Sequence, residues 1–206
     1  MSQKIVQNPT VTFSTLAKLM GSTTSSNLLT LLRGHKYPED GPKRSYQNAQ
    51  RQVIDHFVYG TPINPTGSAL RAHETEALTA FTNNGLCLPA SCTARRPSTG
   101  SPKWQFHGVE ISVFPDVLVQ SSGSVILGGI KVNFNKDSLA RGVGPSMAAL
   151  LHHYLANVLS MPLIASRSCF IYEARSGAVH SCGSPTRLLA SAQATCNIIA
   201  AVWPTL

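Results

Sequence analysis

Acidic residues are scarce in this chain of 206 residues. Nine aspartate and glutamate residues stand against seventeen lysine and arginine residues, so the formal net charge is +8 at pH 7. Charged residues of both signs make up only 13% of the sequence, against an ordinary share of about 25%. This balance predicts a polyanionic partner, nucleic acid before a membrane surface, because no segment is both amphipathic and rich in lysine. A generally basic protein without such a partner is the alternative interpretation.

The sequence also lacks the signatures of export and of membrane spanning. Its first residues contain no hydrophobic stretch of the kind found in signal peptides, and no apolar run approaches ~18 residues. The five cysteines form no Cys-x-x-Cys pair, and their odd number leaves one over. Together these features predict a cytoplasmic protein with reduced thiols and without a membrane partner.

Common nucleotide-binding and hydrolase motifs are absent too. None of the patterns GxxxxGK[ST], GxGxxG, GxSxG and HExxH occurs in the sequence. They mark phosphate-binding loops, dinucleotide sites, nucleophile elbows and zinc proteases, respectively. The glycine-rich stretch Arg141–Ser146 lacks the lysine of a phosphate-binding loop. We interpret it as the loop before a helix.

A hydrophobic content of 43% is sufficient for one compact domain with a proper core. We expect a helical segment over residues 1–65 and a core domain over residues 66–206. Hydrophobic periodicity predicts that the core has the order helix, three strands, helix, strand, helix. The predicted helices span residues 45–59, 66–82, 147–159 and 185–203. The predicted strands span residues 104–106, 109–119, 125–134 and 168–172, and residues 177–180 return as a hairpin.

The most informative segment is a predicted hairpin over residues 109–134. Two β-rich runs, Val109–Val119 and Val125–Phe134, flank a turn of serine and glycine. Pro115 and Asp116 lie on the first strand, and Lys131 lies in the middle of the second. A lysine within so apolar a strand is uncommon for a merely solvated residue. A turn aspartate and a solvated lysine remain the alternative interpretation of this pair.

This hairpin resembles the core of the PD-(D/E)xK nucleases, a superfamily of metal-dependent phosphodiesterases. In that family an aspartate and, on the next strand, an acid-x-lysine triplet meet at one end of the sheet. The resemblance covers about residues 66–203. It implies an α/β, restriction-endonuclease-like αβββαβ core, in which helices flank a mixed central sheet. One departure is evident, because the triplet here reads Gly129-Ile130-Lys131 and glycine stands at the acid position.

The resemblance assigns roles to the two hairpin residues. Asp116 would bind Mg²⁺ or Mn²⁺, and Lys131 would orient the attacking water or stabilise charge in the transition state. Positions 129 and 131 share one face of their strand by alternation, so an acid at 129 would have joined them. We therefore expect Asp116 and Lys131 to lie on adjacent antiparallel strands and to converge on one cleft.

Another acid is needed to replace the one missing at position 129. Glu74 falls within the apolar stripe of its predicted helix, where an isolated carboxylate is costly unless it finds a metal or a cation. Because the helix before the sheet often supplies a glutamate in this superfamily, we predict Glu74 as the second metal ligand, with Glu76 behind it. A shifted helical register that leaves Glu74 exposed is the alternative. The resemblance also suggests Tyr154 as a catalytic residue, although packing would equally explain it.

Basic residues form two clusters in the sequence. Either cluster could follow a phosphate backbone, so we predict both as nucleic-acid-binding. Solvated loops are the alternative, since most such clusters are nothing more. The first cluster leads into the sheet and contains Arg95, Arg96 and Lys103, and the second contains Arg33, Lys36, Lys43 and Arg44.

These observations predict an Mg²⁺-dependent nuclease, with DNA favoured over RNA. The main alternative is a degenerate, inactive relative that binds nucleic acid or protein, because Gly129 removes a metal ligand. A third interpretation is a protein-interaction module without any nucleic-acid contact.

Overall fold

A computed structural model describes residues 6–21, 25–38, 46–98 and 102–206. The fold is of the α/β class, as predicted, with strands of mixed orientation. The helices are α1 (Phe13–Met20), α2 (Ser25–Lys36), α3 (Gln47–Tyr59), α4 (Ala72–Asn84), α5 (Val143–His153) and α6 (Pro185–Val202). The strands are β1 (Thr10–Thr12), β2 (Cys92–Arg95), β3 (Trp104–Phe106), β4 (Val109–Ser112), β5 (Val117–Ser121), β6 (Ile126–Asn133), β7 (Cys169–Glu173) and β8 (Val179–Ser181).

The main sheet has five strands in the order β2-β5-β6-β7-β8. Strands β5 and β6 pair antiparallel, as the predicted hairpin requires. Strands β6 and β7 pair parallel, and α5 lies in the connection between them, as a parallel pair demands. Strand β8 returns antiparallel onto β7, so the hairpin expected at residues 177–180 is confirmed.

The prediction of one long strand over residues 109–119 is wrong. The run divides at Pro115 into β4 and β5, which belong to different sheets. Proline lacks the N–H that a sheet ladder needs, so pairing stops there and the chain can change direction. Asp116 consequently lies directly before β5, at one end of the main sheet.

Two short strands occur where the sequence indicated a loop and a helical segment. Strand β2 falls within the expected loop of residues 83–102 and forms one edge of the main sheet. Strand β1 pairs parallel with β4, and together with β3 they form a separate three-stranded sheet. The first residues of the described chain are thereby joined to the rest of the fold by backbone hydrogen bonds.

Helices cover both faces of the main sheet. Val117, Val119 and Ile130 belong to the hydrophobic cluster that includes residues of α3 and α4. Leu118 and Ile171 belong to the cluster that includes residues of α1, α5 and α6. Neighbouring residues of β5 thus point to opposite faces, as strand alternation requires.

Helix boundaries differ from the predicted ones by several residues. Helix α4 begins at Ala72 rather than at 66, and α5 spans Val143–His153 before a π-helical turn, Tyr154–Val158, continues it. Gly60 ends α3 with φ of 68°, a left-handed conformation that favours glycine. In the described ranges, no helix combines the length and the apolar character needed to cross a bilayer.

Gly128 lets β6 pass close to the turn that precedes β7. A Cβ atom at this position would lie 1.9 Å from the carbonyl oxygen of Ser168. A Cβ atom at Gly34 in α2, by contrast, would meet no described atom within 4 Å.

We predict that Gly128→Ala lowers the free energy of unfolding by about 1–3 kcal/mol, because backbone must move to admit the methyl group. The matched change Gly34→Ala should raise it by up to about 1 kcal/mol, since alanine favours helix over glycine. Urea denaturation of both variants measures the difference. Equal effects of the two substitutions would contradict the close approach at β6.

Candidate functional site

The carboxylate of Asp116 joins three elements of the fold. Its Oδ1 atom lies 2.7 Å from Nζ of Lys131 and also accepts a hydrogen bond from the side-chain amide of Gln50 in α3. Its Oδ2 atom accepts the backbone N–H of Val132 at 2.7 Å. Asp116 and Lys131 thus meet beside the antiparallel pair β5–β6, as expected, but Asp116 lies directly before β5 and not on it, and its carboxylate is buried and does not open into a cleft.

The backbone of Asp116 strengthens this attachment. Its N–H donates to the carbonyl oxygen of Ile130 at 2.8 Å, so Asp116 contacts β6 through both main chain and side chain. Pro115, directly before it, ends the pairing of this stretch with β6 in the main sheet. The pairing of β5 with β6 stops at this point, and the Asp116 carboxylate accepts the strand N–H of Val132.

Burial makes these contacts necessary. The Asp116 side chain is only 1% exposed, whereas the Lys131 side chain is 22% exposed. A buried carboxylate is costly unless it is paired and hydrogen-bonded. Lysine, glutamine and backbone donors together satisfy Asp116, and this donor set leaves little of the carboxylate available for a divalent cation.

Gly129, where the resemblance predicts an acid, is closely packed. A Cβ atom on Gly129 would lie 2.9 Å from Cδ1 of Leu155 and 3.6 Å from Cβ of Pro115. Leu155 belongs to the π-helical turn after α5 and is fully buried. A side chain at position 129 would therefore point into the core and not into an open cleft.

Glu74 is buried, as the helical stripe predicted, with 1% of its surface exposed. Its Oε1 atom accepts the backbone N–H groups of Asn48 at 2.9 Å and Ala49 at 3.2 Å, in the first turn of α3. Its Oε2 atom accepts the N–H of Arg71 at 3.2 Å, directly before α4. Glu74 thus caps the beginnings of two helices, and these donors explain its burial without a metal.

The electrostatics of Glu74 agree with this capping role. Burial by itself raises the pKa of the Glu74 carboxyl. The N–H donors of Arg71, Ala49 and Asn48, with His73 nearby, lower this pKa, and the net pKa lies below the ordinary value of 4.5. The carboxylate is therefore held in its ionised form by backbone donors.

The first turn of α3 connects the two predicted metal ligands. Asn48 and Ala49 donate to Glu74, and the next residue, Gln50, donates to Asp116. Both acids therefore hold the same helical turn. The sequence analysis missed Gln50, because a glutamine in an amphipathic helix carries no motif that points to a partner 66 residues away.

Tyr154 and Glu76 take structural positions in the protein. Tyr154 is 1% exposed, and its hydroxyl donates to the carbonyl oxygen of Pro102 at 2.9 Å. The Glu76 side chain is 62% exposed and pairs with Arg175 at 3.2 Å. Tyr154 therefore packs in the core, and Glu76 forms an ion pair at the surface.

Some residues of the two predicted basic clusters have partners within the protein, and others are exposed. Arg96 forms an ion pair with Asp55, and Lys103 pairs with Glu110 at 2.8 Å. Lys36 donates to the carbonyl oxygen of Trp203 at 2.8 Å, after α6. Arg33 and Arg95 are exposed, and Lys43 and Arg44 lie outside the described residues.

Residues with metal-binding side chains do not gather in the described part of the chain. No three histidine, cysteine, aspartate or glutamate residues within it form a group able to hold a metal ion. All five cysteines occur as free thiols.

Comparisons of the chain with protein-family models, with curated proteins and with solved structures found no match.

We predict that Asp116→Ala lowers the free energy of unfolding by about 3–5 kcal/mol, because it leaves a largely buried lysine and a strand N–H without their acceptor. Asp137→Ala, at an exposed aspartate, should change stability by less than about 0.5 kcal/mol. Urea denaturation followed by circular dichroism measures both. An Asp116→Ala variant as stable as the Asp137→Ala variant would contradict the structural role of the carboxylate.

A second prediction concerns the pH dependence of Glu74. Because its pKa is lowered in the folded state, its contribution is present above the ordinary value of 4.5 and is lost as the pH falls through the folded-state pKa. Glu74→Gln should therefore destabilise the protein by about 1–3 kcal/mol at neutral pH and by less in acid. Glu76→Gln is the control on the same helix. A pH-independent difference between these variants would refute the ionised cap.

Proposed function

We propose that this protein is a degenerate relative of the PD-(D/E)xK nucleases that binds nucleic acid without hydrolysing it. One observation carries the proposal. The Asp116 carboxylate accepts hydrogen bonds from three donors within the protein. The acid position of the motif is occupied by Gly129, which packs against Leu155. Metal-dependent phosphodiester hydrolysis needs two carboxylates that are free to bind one ion, and Asp116 and position 129 do not supply such a pair.

The order of elements supports the fold part of this proposal. Helix α4 precedes β2, β5 and β6, which pair antiparallel in that order, and α5 then leads to the parallel strand β7. When the strands of the main sheet alone are counted, this order is consistent with the αβββαβ core that the resemblance implies. Strands β3 and β4 interrupt it as a separate sheet with β1.

The distribution of charge supports the proposal that the protein binds nucleic acid. Four of the lysine and arginine side chains in the described residues form ion pairs with acids. Many of the others are exposed, and such cations attract phosphates and release counterions on binding. The exposed residues outside those ion pairs are Lys18, Arg33, Arg51, Arg71, Arg95, Lys136, Arg141, Arg167 and Arg187.

Metal-dependent phosphodiester hydrolysis is the second candidate. The meeting of Asp116 and Lys131 at one end of the main sheet favours it, because the nuclease resemblance rests on that pair. The donors around Asp116 and Glu74 do not fit a divalent ion, however, since backbone N–H groups and a lysine occupy the carboxylate oxygens. We therefore place nucleic-acid binding first.

Binding and cleavage assays distinguish the two candidates. We expect the protein to bind DNA or RNA oligonucleotides at low salt, with an affinity that falls steeply with salt and a log–log slope of several units. With Mg²⁺ or Mn²⁺ added, the oligonucleotides should remain intact. Cleavage that Lys131→Ala abolishes would establish the nuclease instead. Absent or salt-independent binding would favour a protein-interaction module.

Restoring the motif provides a further test. We predict that Gly129→Glu does not create metal-dependent cleavage and lowers the free energy of unfolding by at least about 1–3 kcal/mol, because the new side chain enters the packed space beside Leu155. Cleavage and urea denaturation are measured on the same preparation. A stable Gly129→Glu variant that cleaves DNA with Mg²⁺ would contradict the packing argument at position 129, and, with an inactive unsubstituted protein, it would establish the degenerate relationship directly.

A further inference from the structure

A cavity of about 510 Å³ lies beyond the carboxyl end of β6. The stretch from Asn135 to Ala140, which follows that strand, forms much of its wall. Lys18 in α1 and Tyr46, directly before α3, line it from elements that pack on opposite faces of the main sheet. The volume lies within the ~300–1,000 Å³ of small-molecule sites. Open α/β sheets bind ligands outside the carboxyl ends of their strands, so the cavity lies where a ligand is expected.

Contacts within the protein fix the wall of this cavity. The carboxylate of Glu173, which is 4% exposed, accepts the backbone N–H of Leu139 at 3.2 Å and pairs with Nε2 of His180 at 2.5 Å. On the side of α3, the ring of Tyr46 stacks on the ring of Phe134, with 5.7 Å between their centres. Because Leu139 and Tyr46 both line the cavity, its shape is set before a ligand arrives, which lowers the entropic cost of binding.

Two lysines at this cavity have no acid as a partner. Lys18 and Lys136 both line it and are exposed, and neither forms an ion pair with another of the described residues. Asp137 also lines the cavity and pairs with neither of them. Two ammonium groups against one carboxylate favour an anion with more than one negative charge, and a phosphate monoester carries about −1.5 to −2 at pH 7.

The polar side chains at the cavity are complementary to hydroxyl groups. Asn135, Asp137 and Ser138 all line it and are exposed. The carboxylate of Asp137 accepts hydrogen bonds only, whereas the amide of Asn135 and the hydroxyl of Ser138 can donate as well as accept. A phosphate ion alone would offer the carboxylate little to accept. A ligand with an anionic end and hydroxyl groups elsewhere satisfies both the lysines and the aspartate.

We propose that this cavity binds a small phosphate monoester that carries hydroxyl groups, such as ribose 5-phosphate. Lys18 and Lys136 contact the phosphate, and Asp137 accepts hydrogen bonds from the sugar hydroxyls. The same chemical group occurs in free sugar phosphates and at the 5′-phosphorylated end of an RNA strand. The inference goes beyond the proposed function, because the cavity takes one sugar phosphate whether or not a strand continues from it.

Isothermal titration calorimetry with ribose 5-phosphate, ribose and inorganic phosphate tests the proposal. We expect ribose 5-phosphate to bind at one site and more tightly than either of the other two. Lys18→Gln and Lys136→Gln should each weaken its binding by about 10-fold, because each removes a charged hydrogen bond. Lys136→Arg keeps the charge and should retain binding. Circular dichroism establishes that each variant is folded.

A matched control removes the same charge elsewhere. Lys103 pairs with Glu110 and does not line the cavity. Lys103→Gln should therefore bind ribose 5-phosphate like the unsubstituted protein. An equal loss in Lys103→Gln and Lys136→Gln would show that only the overall charge matters, and it would overturn the assignment to this cavity.

Asp137→Asn separates the sugar from the phosphate. Asparagine nearly keeps the shape of the side chain but removes its charge, so it ends the repulsion of phosphate and weakens an acceptor for hydroxyl groups. We expect the affinity for inorganic phosphate to rise by about 2- to 5-fold, and the preference for ribose 5-phosphate over phosphate to fall by about 10-fold. Equal changes in both affinities would contradict the contact between Asp137 and the sugar.

Oligonucleotides distinguish the two sources of the ligand. If 5′-phosphorylated oligo(U) binds more tightly than 5′-hydroxyl oligo(U), and Lys136→Gln removes the difference, the cavity receives the end of a strand. If the two strands bind alike while ribose 5-phosphate occupies the cavity, the ligand is the free sugar phosphate.

The failure of this inference is distinct from the failure of the proposed function. The inference is overturned if neither ribose 5-phosphate nor the 5′-phosphate end binds saturably at millimolar concentration, or if Lys18→Gln and Lys136→Gln bind both normally. Salt-dependent binding of both oligonucleotides in the same samples would leave the proposed function standing. Binding of ribose 5-phosphate without any binding of the strands would overturn the proposed function and support the cavity.

Discussion

The fold depends on one buried carboxylate. Asp116 lies where Pro115 ends a strand, and its oxygens take the N–H of Val132, the ammonium group of Lys131 and the amide of Gln50. Strand β6, the start of β5 and helix α3 therefore meet at a single charged group. In surroundings that exclude water, such a group is stable only while all its partners remain in place. The same contacts that stabilise the sheet end also occupy the atoms that a metal would need.

A second buried carboxylate, Glu74, also binds donors in the first turn of α3. Glu74 accepts N–H groups that a helix start leaves without intrahelical partners, and it does so for α3 and α4 together. With only nine acids in the chain, two of the buried ones serve to place one helical turn. This structural use of two scarce acids is the reason why we propose binding and not hydrolysis.

Much of the fold could be predicted from the sequence, and the reasons for the failures are physical. The hairpin of β5 and β6, the return of β8 and the helix that ends at Gly60 carry strong local signals, in β-branched runs, turns and a glycine cap. Strands β1 and β2 have three and four residues, and pairing with distant strands stabilises them rather than their own pattern. Pro115 is evident in the sequence, but the change of sheet that it permits also depends on pairing of β4 with β3 and with β1, and β1 lies far away in the chain.

The sequence by itself determined the excess of positive charge, and it placed a Pro-Asp, a lysine within an apolar run and a glycine two residues before that lysine. Only the tertiary structure decided what these residues do. The partners of Asp116 are 15 to 66 residues distant in the chain, and those of Glu74 in α3 are 25 and 26 residues distant. A carboxylate binds whichever donors the fold brings to it, and a local pattern cannot tell a metal ion from a backbone N–H. Packing of Leu155 over Gly129 likewise follows from the crossover of α5, because a Cβ is excluded only once that turn lies against β6.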